Sequence, residues 1–172
     1  EEQNNKRVTV EEVYQQIITD LEECVSILPE DKSSRVSKWA AMAFLSKIYF
    51  QKNDFTNCLY WSDQLINSGQ FSLNSTVNEI YSLSGWNFSN ETIFQMINIP
   101  EDNSNGTLTG RLKSNSVTYS APFSEIISNQ DDLRSTNLYT FLSVPYLRKY
   151  SNTAMNVTIV RLAEILLSRA ES

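Results

Sequence analysis

Histidine is absent from the 172 residues. That removes the commonest general base at neutral pH and the commonest metal ligand at once. Cysteine is scarce, with only Cys24 and Cys58. Two thiols cannot build a tetrahedral metal site alone and are too few for a disulfide framework, so each reads as a small buried hydrophobe. A bridge between them stays open, because spacing does not reveal geometry. Lys and Arg number 14 against 20 Asp and Glu, for a formal charge of -6. Nucleic-acid binding rests on clustered cations that release counterions, so nucleic acid is not an expected partner. No run approaches the roughly 18 apolar residues of a membrane span. The opening "EEQNNKRVTV" has neither a hydrophobic core nor a small-residue cleavage site, so it reads as neither spanning nor targeting. With 41% hydrophobic and 20% charged residues, the chain has the composition of one soluble domain, or of a piece of a larger one.

Three segments carry helical signals. In "VTVEEVYQQIITDLEECVSILPED" the apolar positions Val10, Tyr14, Ile17, Leu21, Cys24 and Leu28 repeat at three and four and fit one helical face. Thr9 followed by Glu12 makes a capping box, Val8 is placed to staple onto Val13, and Pro29 ends the run. "SKWAAMAFLSKIYFQKN" has Ser37 as N-cap and apolar residues on nearly all sides, the pattern of a helix buried between neighbours. "DFTNCLYWSDQLINSG" begins at Asp54 and stops at Gly69, and so short a turn between the two helices makes them antiparallel. From about Phe71 to Tyr150 the texture turns to Asn, Ser and Thr. There "ETIFQMINI" predicts a short strand, "PFSEIIS" a short helix opened by Pro122, and "EDNSNGTLTG" a loop. An irregular stretch of this length is where a binding site is expected. At the end, Asn156 reads as the start of a leucine-rich closing helix over 156–172.

The spacing of Leu45, Ser46, Tyr49, Asn53, Asp54, Phe55, Cys58, Leu59 and Leu65 resembles one tetratricopeptide repeat, with Ser46 and Cys58 where small side chains let two helices approach. One such unit cannot bury both its faces. The helix at 10 to 28 is expected to cover one side and the closing helix another. The predicted fold class is therefore mostly α, with TPR-like antiparallel helices over 8–69, an Asn/Ser-rich irregular insertion with short strands over 70–155, and the closing helix.

An ordered set of pieces carries a wider resemblance: "LPED" after a helix, Arg35 leading into "WAAMAFLSKIYFQKNDF", "NETIFQM", "DDLRS", "RKY" and finally "VRLAEILLSRAES". In this order they resemble the middle portion of SusD/RagB-family proteins. The resemblance implies a non-enzymatic, lipid-anchored outer-membrane protein that binds oligosaccharides and hands them to a SusC-like TonB-dependent transporter. It implies also that the chain is an incomplete middle portion, anchored through an N-terminal segment not among these residues. It implies no cofactor. In the Asp-x-Arg of "DDLRS", Asp132 and Arg134 are expected to clamp irregular segments through charge-assisted hydrogen bonds. Arg161 and Glu164, three apart, are expected to pair on one helix for roughly 0.2 to 0.5 kcal/mol.

Sugar binding needs flat aromatic faces for ring CH groups and amides or charged groups for paired hydroxyls. Among three tryptophans, eight tyrosines and eight phenylalanines, Trp86 with Asn87 in "SGWNFSN" is the best local combination. Tyr119 and Tyr146 are weaker additions. The competing reading for each is core packing. Trp39 and Trp61 lie on the helical pair and read as packing or partner-facing. A glycosidase would need two carboxylates about 5 to 10 Å apart in an apolar cleft, and nothing in the sequence marks such a pair. "DNSNG" lacks the glycine position and the closing glutamate of a calcium loop, so no metal is expected. The sequons at Asn74, Asn87, Asn90, Asn105 and Asn156 are what chance gives in a chain this rich in Asn, Ser and Thr. The alternative to glycan capture is a TPR-like scaffold for a protein partner, or a peptide-binding SusD/RagB relative.

Overall fold

The computed structural model describes residues 7–31, 35–76, 78–81, 83–99, 101, 131, 139–141, 145–147 and 154–172. Along the chain run α1 (Val10–Ile27), α2 (Lys38–Gln51), α3 (Phe55–Asn67), α4 (Asn78–Tyr81), β1 (Thr92–Met96), β2 (Tyr139–Phe141), β3 (Pro145–Leu147), β4 (Val157–Arg161) and α5 (Leu162–Glu171). They divide into two compact units, Glu1–Phe71 with Leu162–Ser172, and Ser72–Arg161.

The helical unit follows its punctuation. Thr9 caps α1 in a complete capping box, and its backbone and side-chain bonds hold the Glu12 carboxyl below the usual carboxylate range. Leu28, just before Pro29, is the C-cap. Val8 and Val13, placed for a staple, both stand exposed. Ser37 caps α2 by accepting from the Ala40 amide. At the other end the chain reverses through Asn53, at φ 58. The Asn53 and Asp54 amides donate back to the Phe50 and Tyr49 carbonyls, and Asp54 at once caps α3. Asparagine tolerates that left-handed backbone better than most residues, which lets the connection be so short. Gly69, at φ 67, follows α3.

Leu45, Tyr49 and Cys58 of the α2–α3 hairpin form one core with Ile18 of α1, and Leu21, Val25, Ile48, Phe50 and Trp61 pack against it. Trp39 is buried too. Where α2 and α3 come closest the side chains are small: Ser46 Oγ lies 2.8 Å from Ser62 Oγ and 3.6 Å from Cys58 Sγ. Both cysteines are free. Helix α5 packs on α3 and α2, burying Leu162 and Ile165. The ion pairs Lys47–Glu164, at 2.7 Å, and Asp63–Arg169 flank that contact. On the other side, Lys52 Nζ reaches Glu11 Oε1 at 2.6 Å, and the Tyr49 hydroxyl donates to Glu22 Oε1 at 3.4 Å.

Burial first, and then the charge of Glu22, push the Tyr49 phenol above its ordinary range. The folded chain therefore holds this proton more tightly than the unfolded one. The resulting stability is intact at neutral pH and falls as pH rises past about 10, where the unfolded tyrosine ionises first. Urea midpoints measured across that range should drop in the native protein, and the drop should be smaller in Tyr49→Phe.

In the second unit β1 pairs antiparallel with β4, with register irregularities around Phe94, and β2 pairs antiparallel with β3. "ETIFQM" thus forms a strand as expected. The closing helix does not begin at Asn156. Val157, Thr158, Ile159 and Val160 are four consecutive β-branched residues; they pack well on a pleated surface, lose side-chain freedom in a helix, and find a partner strand in β1. The helix starts only at Leu162. The predicted helix in "PFSEIIS" and the loop "EDNSNGTLTG" lie outside the described residues except for Glu101, which is exposed.

Candidate functional site

The candidate site in the second unit is built on the turn from Ser84 to Asn87. Gly85 sits at φ 60 with open space where a Cβ would be, so the backbone angle and not crowding calls for glycine. Trp86 follows it and is 69% exposed, an unusual degree for the largest apolar side chain. Asn87, also exposed, folds its Nδ2 back onto the Ser84 carbonyl at 2.8 Å. Its Oδ1 carries no hydrogen bond among the described residues and is an acceptor open to a ligand hydroxyl.

Beneath this turn lies a buried layer of amides. Asn156 Nδ2 donates to the carbonyls of Gly85 and Asn87 at 2.8 and 3.1 Å, and its Oδ1 accepts from the Asn98 amide at 3.0 Å. Asn98 Nδ2 donates to the Met155 carbonyl at 2.7 Å, and Gln95 Nε2 to the Asn87 carbonyl at 2.9 Å. Backbone bonds complete the frame: Gly85 N donates to Asn98 O, Asn156 N to Leu83 O, and Ser84 bridges Met155. Asn98, Gln95 and Asn156 are all buried, so each amide bond replaces one that water would otherwise make.

Nearby in the same unit, Arg161 Nη1 donates to Glu91 Oε1 at 3.2 Å, and the Asn74 amide reaches Glu91 Oε2 at 3.5 Å. The same-helix pair expected between Arg161 and Glu164 does not form. Arg161 ends a strand, so its side chain lies across from β1, while Glu164 pairs with Lys47 of α2. Trp86 and Asn87 are adjacent on the turn as expected. Tyr146 lies in β3 opposite Thr140, where only the backbone is described. Tyr119, Asp132 and Arg134 lie outside the described residues.

A family model described as "Starch-binding associating with outer membrane", of the SusD-like group, matches residues 1–50. A SusD superfamily protein of Bacteroides vulgatus superposes on 98% of this chain with a TM-score of 0.76 at 25% identity. The chain has the fold of SusD superfamily proteins, and its first 50 residues resemble the SusD-like family in sequence. A SusD superfamily protein of Bacteroides thetaiotaomicron shares the SusD-like fold over 99% of the chain, with a TM-score of 0.77 at 21% identity. So does a laminarin binding SusD-like protein, over 94% of the chain with a TM-score of 0.74 at 16% identity. The chain spans 43%, 45% and 50% of the length of those three proteins. No curated protein sequence matches it.

In this SusD-like chain the residues that sequence reasoning missed are the supports of the turn. Asn156 meets its acceptors 69 and 71 positions away and Asn98 at 58, separations that leave no local pattern. A faint signal exists in hindsight: an asparagine directly before four β-branched residues is poorly placed to cap a helix. Among the described residues no group of three or more Cys, Asp or Glu is placed to hold a metal ion.

Proposed function

We propose that this SusD-like chain is part of a glycan-binding protein of the outer membrane, that it has no catalytic role, and that the indole of Trp86 and the Asn87 amide contact the sugar. The observation that carries the reading is an exposed tryptophan held on a hydrogen-bonded turn rather than packed in the core. An indole face takes the CH side of a pyranose ring, and the free Oδ1 of Asn87 accepts from a hydroxyl. The family description and the laminarin-binding relative support the ligand class. Tyr119 and Tyr146 are further contacts under this reading, and Asp132 with Arg134 a clamp of the loops around them. A SusC-like TonB-dependent transporter receives the bound oligosaccharide, and a lipid anchor outside these residues holds the protein at the cell surface.

Soluble starch and laminarin are the first ligands to test, by calorimetry or affinity electrophoresis on the full-length protein. Stacking one ring buries some tens of Å² of indole, so Trp86→Ala should weaken binding about ten- to thirtyfold. The melting temperature should barely move, because the side chain is exposed. Binding unchanged in Trp86→Ala would overturn this assignment of the site.

A second reading, a scaffold for a peptide or protein partner, draws on one observation in the helical unit. Val10, Val13, Tyr14, Ile17, Ile48 and Gln51 line an open apolar furrow of about 390 Å³ between α1 and α2. Absence of binding to any glycan, together with recovery of a protein bound to this furrow, would favour it.

A further inference from the structure

We infer that Asn156 is a positioning residue for the Trp86 turn: its buried carboxamide sets the conformation in which the indole is presented, and so controls ligand affinity without touching ligand. The inference rests on the reading that Trp86 contacts the ligand, but its geometric half stands on the unliganded protein alone.

One short side chain, Asn156, carries three hydrogen bonds around the turn. The peptide carbonyls of Gly85 and Asn87 flank Trp86, and both point inward at the same Nδ2, at 2.8 and 3.1 Å. A primary amide has two N–H donors, one for each carbonyl. Its remaining oxygen accepts from the Asn98 amide at 3.0 Å. The Asn98 carbonyl in turn receives the Gly85 N–H at 3.0 Å. Gly85 is thus held from both its peptide groups, and the conformation it is held in is the left-handed one. A turn of this kind on the surface would otherwise sample several conformations. Fixing it before the ligand arrives removes an ordering cost from binding.

Other residue types fail this task for stated reasons. Aspartate keeps the size but brings carboxylate oxygens against two carbonyl oxygens, replacing two attractions by repulsions. Leucine keeps the volume but takes away the bonds to the buried Gly85 carbonyl and Asn98 N–H and leaves the Asn87 carbonyl with Gln95 alone. The Gln95 bond to the Asn87 carbonyl is a partial backup on one side only, since it does not reach Gly85.

The test uses the full-length protein labelled with 5-fluorotryptophan, whose three indoles, Trp39, Trp61 and Trp86, are assigned with Trp86→Phe. In Asn156→Asp the Trp86 resonance should shift or broaden while Trp39 and Trp61 stay in place, and binding to starch or laminarin should weaken roughly tenfold. Asn156→Ala serves the same purpose if the aspartate variant does not fold. Val160→Ala is the control, because it removes buried volume from β4 without touching the turn. It should lower the melting temperature yet leave the Trp86 resonance and binding as they are. An unmoved Trp86 resonance in both Asn156 variants overturns the inference, whatever binding does. So does a Val160→Ala variant that shifts Trp86 as far as Asn156→Asp does, since the effect would then be general loosening. A shifted resonance together with unchanged binding in Trp86→Ala sinks the ligand reading of Trp86, and with it the claim on affinity, while the control of the turn stands.

Discussion

Ser46→Leu is expected to destabilise the helical unit by about 4 kcal/mol, a large part of the 5 to 15 kcal/mol that typically separates folded from unfolded chains. Ser46, Cys58 and Ser62 are all fully buried where α2 and α3 touch. No space is left there for a branched side chain, so leucine would force the helices apart or into strained rotamers, at about 1 to 3 kcal/mol. It would also take from the Ser62 hydroxyl its partner Ser46 at 2.8 Å, leaving only the weak 4.0 Å contact with Cys58 Sγ, for a similar further cost. Ser46→Ala isolates the second effect and should cost about 1 to 2 kcal/mol. Adding Ser62→Ala should then recover most of that loss, because two apolar groups of like shape leave nothing unpaired. Denaturant midpoints read by far-UV circular dichroism on the native protein, Ser46→Leu, Ser46→Ala, Ser62→Ala and the double alanine variant measure each step and close the alanine cycle. If Ser46→Leu changes stability by less than about 1 kcal/mol, the helices are not in contact there as described.

That interface was readable from sequence because everything it needs is local. Caps at Thr9, Ser37 and Asp54 and the glycine after α3 lie within a turn of their partners and have short-range signatures, and the facing small residues, 12 and 16 positions apart, are brought together by one short turn. The tetratricopeptide-like spacing adds the pairing of α2 with α3. The second unit was far less legible. Its strands are short, and β1 meets β4 across some sixty-odd residues of intervening chain, so neither strand predicts the other. Ile and Phe content told strand from helix in "ETIFQM", but in the final segment the β-branched residues were outweighed by the leucines. There the apolar run "VTIVRLAEILL" contains a strand and a helix end to end, and composition alone does not show the seam. The proposed site divides in the same way. Trp86 and Asn87 were visible because an indole beside an amide after a glycine is a local cue. Asn156, Asn98 and Gln95 were invisible because a buried amide is recognisable only by what it faces.

The same seam decides where Arg161 goes. Arg161→Ala is expected to cost the second unit about 3 kcal/mol, whereas Glu164→Ala should cost the helical unit less than about 1 kcal/mol. The difference is solvation. The Glu91 side chain is 4% exposed, and its carboxylate has one guanidinium at 3.2 Å and one long amide contact at 3.5 Å. Taking the guanidinium away leaves a buried charge facing a single weak donor, and the carboxylate must then draw in water or a proton. The Arg161 side chain is itself 38% exposed, which places the cost at the lower end for broken buried pairs. The Lys47 and Glu164 side chains are 29% and 40% exposed, so water replaces most of what either partner loses. Changing both members of the first pair, Glu91→Met with Arg161→Met, should bring stability back to near the native level, because the ion pair gains little beyond its own desolvation. Chemical denaturation of the three variants beside the native protein separates these cases. Equal losses in Arg161→Ala and Glu164→Ala would mean that water reaches Glu91 as freely as it reaches Glu164, and that β4 is not closed over the carboxylate.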